Sequence, residues 1–137
     1  MVAKKLTGLF FGSFNPIHIG HLAIANYMLE YTEINELWFI VSPQNPFKVK
    51  KSLAPEYHRL EMVRLAIGEQ NKMKASDIEF KMPKPSYTID TLTYLKDKYP
   101  KRDFALIMGA DNLQSFNKWK NFEQILNNYT LFIYPRI

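Results

Sequence analysis

Within ten consecutive residues, Gly12-Ser13-Phe14-Asn15-Pro16-Ile17-His18-Ile19-Gly20-His21 brings together a glycine turn, a rigid proline and two histidines around a second glycine. Such residue types suit an anion, above all a phosphate. Backbone N–H groups at a helix start carry partial positive charge, and imidazoles three positions apart lie on neighbouring turns of one face. Gly20 would let a ligand approach the backbone closely. The stretch lacks the Gly-Lys-Ser/Thr ending of a Walker P-loop and is no G-x-G-x-x-G fingerprint. Two unrelated polar histidines at a helix start are the plain alternative.

Other side chains with chemical potential follow later apolar runs. Lys48 lies in a lysine-rich stretch over 43–52, where a solvated loop lysine is the simple alternative. Thr88 and Asp90 also suit an N-cap and a first-turn acid. Asp111 equally suits a plain N-cap. Trp119, between Phe116 and Phe122, also suits a core position under a helix. His58 is read as a structural residue on a helical surface.

These residues need a scaffold, and the hydrophobic pattern supplies one. Leu6 to Phe11, Leu37 to Val41, Phe104 to Met108 and Leu131 to Tyr134 are apolar runs of strand length, and Asp77 to Phe80 is a weaker strand. Helical spacing joins Ile19, Leu22, Ala23, Asn26, Tyr27 and Glu30, with Ile24 and Met28 widening the apolar face. A second helix opens at Pro55-Glu56 and carries Leu60, Val63 and Ile67 to Gly68. Ile89, Leu92, Leu95 and Tyr99 mark a third, ended by Pro100, and Phe122, Ile125 and Leu126 a fourth. Alternating strands and helices, with strands apolar almost throughout, predict a doubly wound α/β fold around a parallel sheet. Ligands of such folds bind outside the carboxyl ends of the strands. The stretches to watch are therefore 12–21, 42–51, 81–91 and 109–119.

Composition narrows the partners. The 137 residues fit one domain, 1–137, with 18 basic against 13 acidic side chains and no cysteine. Disulfide scaffolds, thiolate metal sites and cysteine nucleophiles are excluded. No apolar run reaches the roughly 20 residues of a membrane span. Met1 to Lys5 lead into a strand without a cleavage signal, so a cytoplasmic protein is expected. The net charge of +5 suits an anionic partner, although the lysines are spread along the chain rather than massed.

The run G-x-F-x-P-x-H-x-G-H after the first strand resembles the nucleotidyltransferase superfamily. Pro46-Phe47-Lys48, Ser86-Tyr87-Thr88-Ile89-Asp90-Thr91-Leu92 and Gly109-Ala110-Asp111 with Trp119 extend the likeness along the chain. Together they resemble the bacterial nicotinate-nucleotide adenylyltransferases. The resemblance implies a Rossmann-like fold and attack of the nicotinate mononucleotide phosphate on ATP, with Mg²⁺ bridging the phosphates. It makes His18 and His21 the catalytic pair and gives substrate contacts to Gly12, Ser13, Phe14, Lys48, Tyr87, Thr88, Asp111, Trp119, Lys120 and Arg136. Trp119 would stack on the nicotinate ring, and N–H groups around Tyr87 and Thr88 would take its carboxylate. No resident metal ligand, nucleic-acid partner or membrane contact is implied; a homo-oligomer is allowed.

The sequence departs from that family in two places. Phe47 stands where many members have histidine. Beyond the arginine that Arg136 resembles, members continue through a further strand and an I-S-S-T-x-I-R motif, so the chain reads as C-terminally incomplete. Alternatives remain: an inactive or binding-only mononucleotide fragment, and an adenylyltransferase with another acceptor such as phosphopantetheine.

Overall fold

The computed structural model describes residues 5–43 and 53–135. Five strands, β1 (Lys5–Gly12), β2 (Glu36–Val41), β3 (Met73–Ser76), β4 (Arg102–Gly109) and β5 (Thr130–Tyr134), form one sheet in the order β3-β2-β1-β4-β5. Every pairing is parallel. Between them run α1 (Ile19–Tyr31), α2 (Glu56–Ile67), α3 (Thr88–Lys98), the short α4 (Ala110–Leu113) and α5 (Phe122–Asn128). No helix among the described residues is long and apolar enough to cross a membrane.

Period-two alternation divides the core. Phe10, Leu37, Phe39, Val41 and Ile107 pack with Ala25 and Met28 of α1 and with Leu60, Val63 and Ile67 of α2. Leu9, Trp38, Ile40, Phe104, Leu106 and Met108 face the other way, against Ile89, Leu92 and Leu95 of α3 and Ile125 of α5. Strands covered on both faces have no polar side, and their sequences therefore read as continuous apolar runs. Each fully buried Leu, Ile or Phe contributes about 1.5–3 kcal/mol, so this double layer dominates the stability.

The strand order reverses between β1 and β4. Chain that leaves β1 builds outward through β2 and β3, then returns to β4 on the far side and continues to β5. The stretches 12–21 and 109–119 thus emerge from the carboxyl ends of β1 and β4, at the reversal of strand order where doubly wound folds bind their ligands.

Several local expectations are corrected. Asp77 to Phe80 is no strand: β3 ends at Ser76, and Ile78–Lys81 form a 3₁₀ turn. Ser76 Oγ accepts the Ile78 N–H at 3.2 Å and the Asp77 carbonyl accepts the Phe80 N–H at 2.9 Å, so local bonds replace a ladder. Pro55 is the N-cap of α2 rather than a residue of its first turn. On α1 the buried residues are Ala25 and Met28, whereas Ile19 is 84% and Tyr27 58% exposed. Leu22, Ile24 and Leu29 pack, partly buried, against the same cluster.

Candidate functional site

The turn out of β1 is built around Phe14. Its backbone is left-handed (φ 48°), an unusual state for a bulky residue, while its ring is buried edge-on against Phe10, Phe39 and His21 at 5.6, 5.4 and 5.0 Å. The backbone costs about 1–2 kcal/mol, and burial of the ring offsets it. A Cβ at position 12 would lie 3.1 Å from the Phe14 ring, so Gly12 is what lets the ring fold back.

His18 is the N-cap of α1, in extended backbone, and His21 stands one turn on. Their side chains cap the helix reciprocally. The Gly20 N–H donates to His18 Nδ1 at 3.1 Å, and the His18 N–H donates to His21 Nδ1 at 3.0 Å. The rings stack with centroids 3.7 Å apart and planes at 27°. A capping box ordinarily uses Ser or Thr with Glu. With imidazoles the same arrangement fixes a tautomer: an Nδ1 that accepts must be bare, so in each neutral ring the proton sits on Nε2. Two Nε2–H donors are thereby preset beside the helix N-terminus. Gly20 has its reason here as well, because a Cβ would come within 2.9 Å of the His18 ring. That contact is a structural reason for the glycine, beside the close ligand approach expected of it.

A second group of residues gathers at the start of α3. Tyr87 is its N-cap and supplies no side-chain cap, so Thr88 is the first helical residue instead of the expected cap. Asp90 is the first-turn acid, as its spacing suggests. Lys120 reaches across from the segment after β4, with Nζ 4.7 Å from the Tyr87 ring centroid and 3.7 Å from Asp90 Oδ2. Neighbouring Trp119 is half-buried and packs on Phe116 at 5.0 Å, so it anchors in the core while keeping part of its surface accessible. Asp111 is exposed on α4, whose N-cap is Gly109, so the plain-cap alternative for Asp111 does not hold.

Two residues here escaped the sequence reading. Glu79, in the 3₁₀ turn after β3, is buried and accepts the Thr91 hydroxyl at 2.7 Å, tying that turn to the first turns of α3. Burial raises the Glu79 pKa above the ordinary value, and the Thr91 bond offsets this only in part. Arg59 of α2 is 1% exposed and bonds three carbonyls at the carboxyl end of the sheet, one in the turn after β1 and two in the connection from β2 to α2. A signal existed: 59, 63 and 67 share one helical face, and Arg59 sits on it beside Leu60, Val63 and Ile67. Lys48 and Arg136 lie outside the described residues.

A doubly wound parallel sheet with paired histidines at the first strand-to-helix turn defines a nucleotide-handling α/β protein, and sequence comparison makes the class specific. The chain belongs to the cytidylyltransferase-like family, whose sequence model matches residues 9–137. Within it, a Cytophaga hutchinsonii protein named "Probable nicotinate-nucleotide adenylyltransferase" is 61% identical over 129 residues, 94% of this chain and 67% of the relative. A Christiangramia forsetii protein of the same name is 55% identical over 134 residues, 98% of this chain and 69% of the relative. The chain thus spans about two thirds of the length of these relatives. The solved Plasmodium falciparum nicotinic acid mononucleotide adenylyltransferase, complexed with NaAD, shares the fold at a TM-score of 0.75 and 19% identity, over 96% of this chain and 75% of its own.

Proposed function

We propose that the chain carries out adenylyl transfer from ATP to nicotinate mononucleotide, giving deamido-NAD and pyrophosphate. The observation that carries the reading is the reciprocally capped His18–His21 pair, with its two Nε2–H donors set at the start of α1 beside the reversal of strand order. An oxygen of the mononucleotide 5′-phosphate attacks the α-phosphorus of ATP, and the bond to the β-phosphate breaks as pyrophosphate leaves. No proton need be removed from the attacking phosphate. The protein's task is to align two anions and to stabilise charge on the transferring phosphoryl group. His18, His21 and the N–H groups around Gly12, Ser13 and Phe14 suit that task.

On the acceptor side, Trp119 offers an indole face for the pyridine ring, and the N-terminus of α3 at Tyr87 and Thr88, without a side-chain cap among the described residues, offers N–H groups to a carboxylate. Lys120 and Asp111 stand on the segment that bears Trp119 and are assigned supporting substrate contacts, as are Lys48 and Arg136 by resemblance alone. Magnesium enters this reading as part of the Mg–ATP substrate. Relatives at 61% and 55% identity with this name support the choice of acceptor.

The test is pyrophosphate release from Mg–ATP with nicotinate mononucleotide and its amide offered in parallel. Turnover with strong preference for the acid is expected, because an amide would leave the N–H donors at the start of α3 poorly paired. Silence with both acceptors, alongside tight mononucleotide binding, would reduce the chain to a binding module.

A further inference from the structure

We propose that Arg59 is a positioning residue for the phosphate end of the site, an inference that rests on the adenylyltransferase reading above. Its guanidinium is enclosed by backbone. Nε donates to the Ala54 carbonyl at 2.8 Å, and Nη1 donates to the carbonyls of Ser13 and Ser42, both at 2.7 Å. Ser13 belongs to the turn that leads from β1 to His18, Ser42 directly follows β2, and Ala54 precedes Pro55, the N-cap of α2. One rigid planar group therefore ties the turn after β1 to both ends of the β2–α2 connection, at the carboxyl end of the sheet.

A buried guanidinium is an expensive way to satisfy three carbonyls. Burial pushes its pKa down against the opposing influence of Glu56, and Nη2 has no hydrogen-bond partner among the described residues. A hydrophobic residue with ordered water would hold a core as well. What arginine adds is fixed fork geometry, which neither lysine nor water reproduces. Two neighbouring contacts extend the tie. Asn15 Oδ1 accepts the Ala54 N–H at 3.0 Å, and Glu56 pairs at 3.9 Å with Lys84, in the loop that leads to Tyr87. Arg59 acts through the Ser13 turn on the His18–His21 pair, not on substrate directly.

The experiment titrates nicotinate mononucleotide and nicotinate riboside, the same molecule without its phosphate, into the 137-residue chain and its Arg59→Lys and Arg59→Met variants by calorimetry, with melting curves alongside. The positioning role predicts folded variants that bind the mononucleotide about tenfold more weakly or worse, while riboside binding stays within about twofold. Lysine should fail with methionine although it keeps the charge. Unchanged mononucleotide affinity, equal losses for the two ligands, or failure of both variants to fold would each overturn the proposal. A wild-type chain that binds neither ligand would overturn the adenylyltransferase reading itself, and this proposal with it.

Discussion

The two ends of the sheet treat their polar groups in opposite ways. At the amino end they are consumed by one another. Glu36 accepts the Trp38 indole N–H at 2.7 Å and faces Lys74 and Arg102 at 3.2 and 3.4 Å, while Arg102 also donates to Thr7 Oγ1 at 3.2 Å. Asn35 and Leu6 exchange two bonds, each of 2.8 Å, and Lys96 bridges the Arg102 carbonyl and Asp103. At the carboxyl end, donors are arranged instead of consumed. Imidazoles start α1, no side chain among the described residues caps α3 at Tyr87, and Arg59 spends its donors on backbone that carries other groups. The lesson is a division of labour: one end closes β1, β2, β3 and β4 together, and the other holds polar groups in place for a ligand.

Four substitutions break or sharpen that contrast, and the largest effect belongs to the carboxyl end. His18→Asn keeps an N-cap acceptor but loses the Nε2 donor, so pyrophosphate release should fall about 100-fold with the melting temperature unchanged. A parallel loss of stability would make His18 merely a cap. At the amino end, Glu36→Ala should cost about 2–3 kcal/mol in urea denaturation, because Trp38, Lys74 and Arg102 lose their common acceptor. Mononucleotide binding should not change, and a change would abolish the division between the ends.

Trp119→Ala should weaken mononucleotide binding by about 1–3 kcal/mol by calorimetry. Loss of fold would instead assign the indole to the core. The smallest effect concerns two carboxyls of opposite sign. Burial works to raise the Glu36 pKa, but its bonds to Trp38 and Lys74 and the nearby Arg102 charge outweigh it, and the net shift is downward. Its stabilisation is present above pH 4.5 and is lost as the solution is acidified through the lowered folded value. The Glu79 pKa is raised by burial, so its stabilisation is present below pH 4.5 and lost as pH rises through the higher folded value. Glu79→Gln keeps an acceptor for Thr91 and removes that loss. The variant should melt a few degrees above wild type at pH 7 and together with it at pH 4.

The central strands were legible because burial on both faces leaves few polar positions to blur a run such as Leu37 to Val41, whereas β3 (Met73–Ser76), with Lys74 and Ser76 in it, was not. The histidine pair was legible because its spacing is local. What escaped depends on distance in the chain or on competition among apolar residues. Nothing near Lys120 announces Tyr87, 33 positions away, and nothing near Arg59 announces the Ser13 carbonyl, 46 positions away. On α1, Ile19 and Tyr27 are apolar enough to predict burial, yet the sheet takes Ala25 and Met28. Asp77 to Phe80 read as strand because Ile78 and Phe80 alternate with acids, whereas the hydroxyl of Ser76 turns the chain.

The placement of the two tryptophans gives the molecule a built-in optical readout. Trp38 is 6% exposed, between the rings of Tyr99 and Phe104 and beneath the cations of Lys74 and Arg102, whereas Trp119 is half-buried in the segment assigned to the pyridine ring. Emission from Trp38 should shift to the red only when the sheet comes apart, and emission from Trp119 should be quenched when a pyridine ring arrives. A single fluorescence spectrum can therefore separate a chain that has lost its ligand from one that has lost its fold.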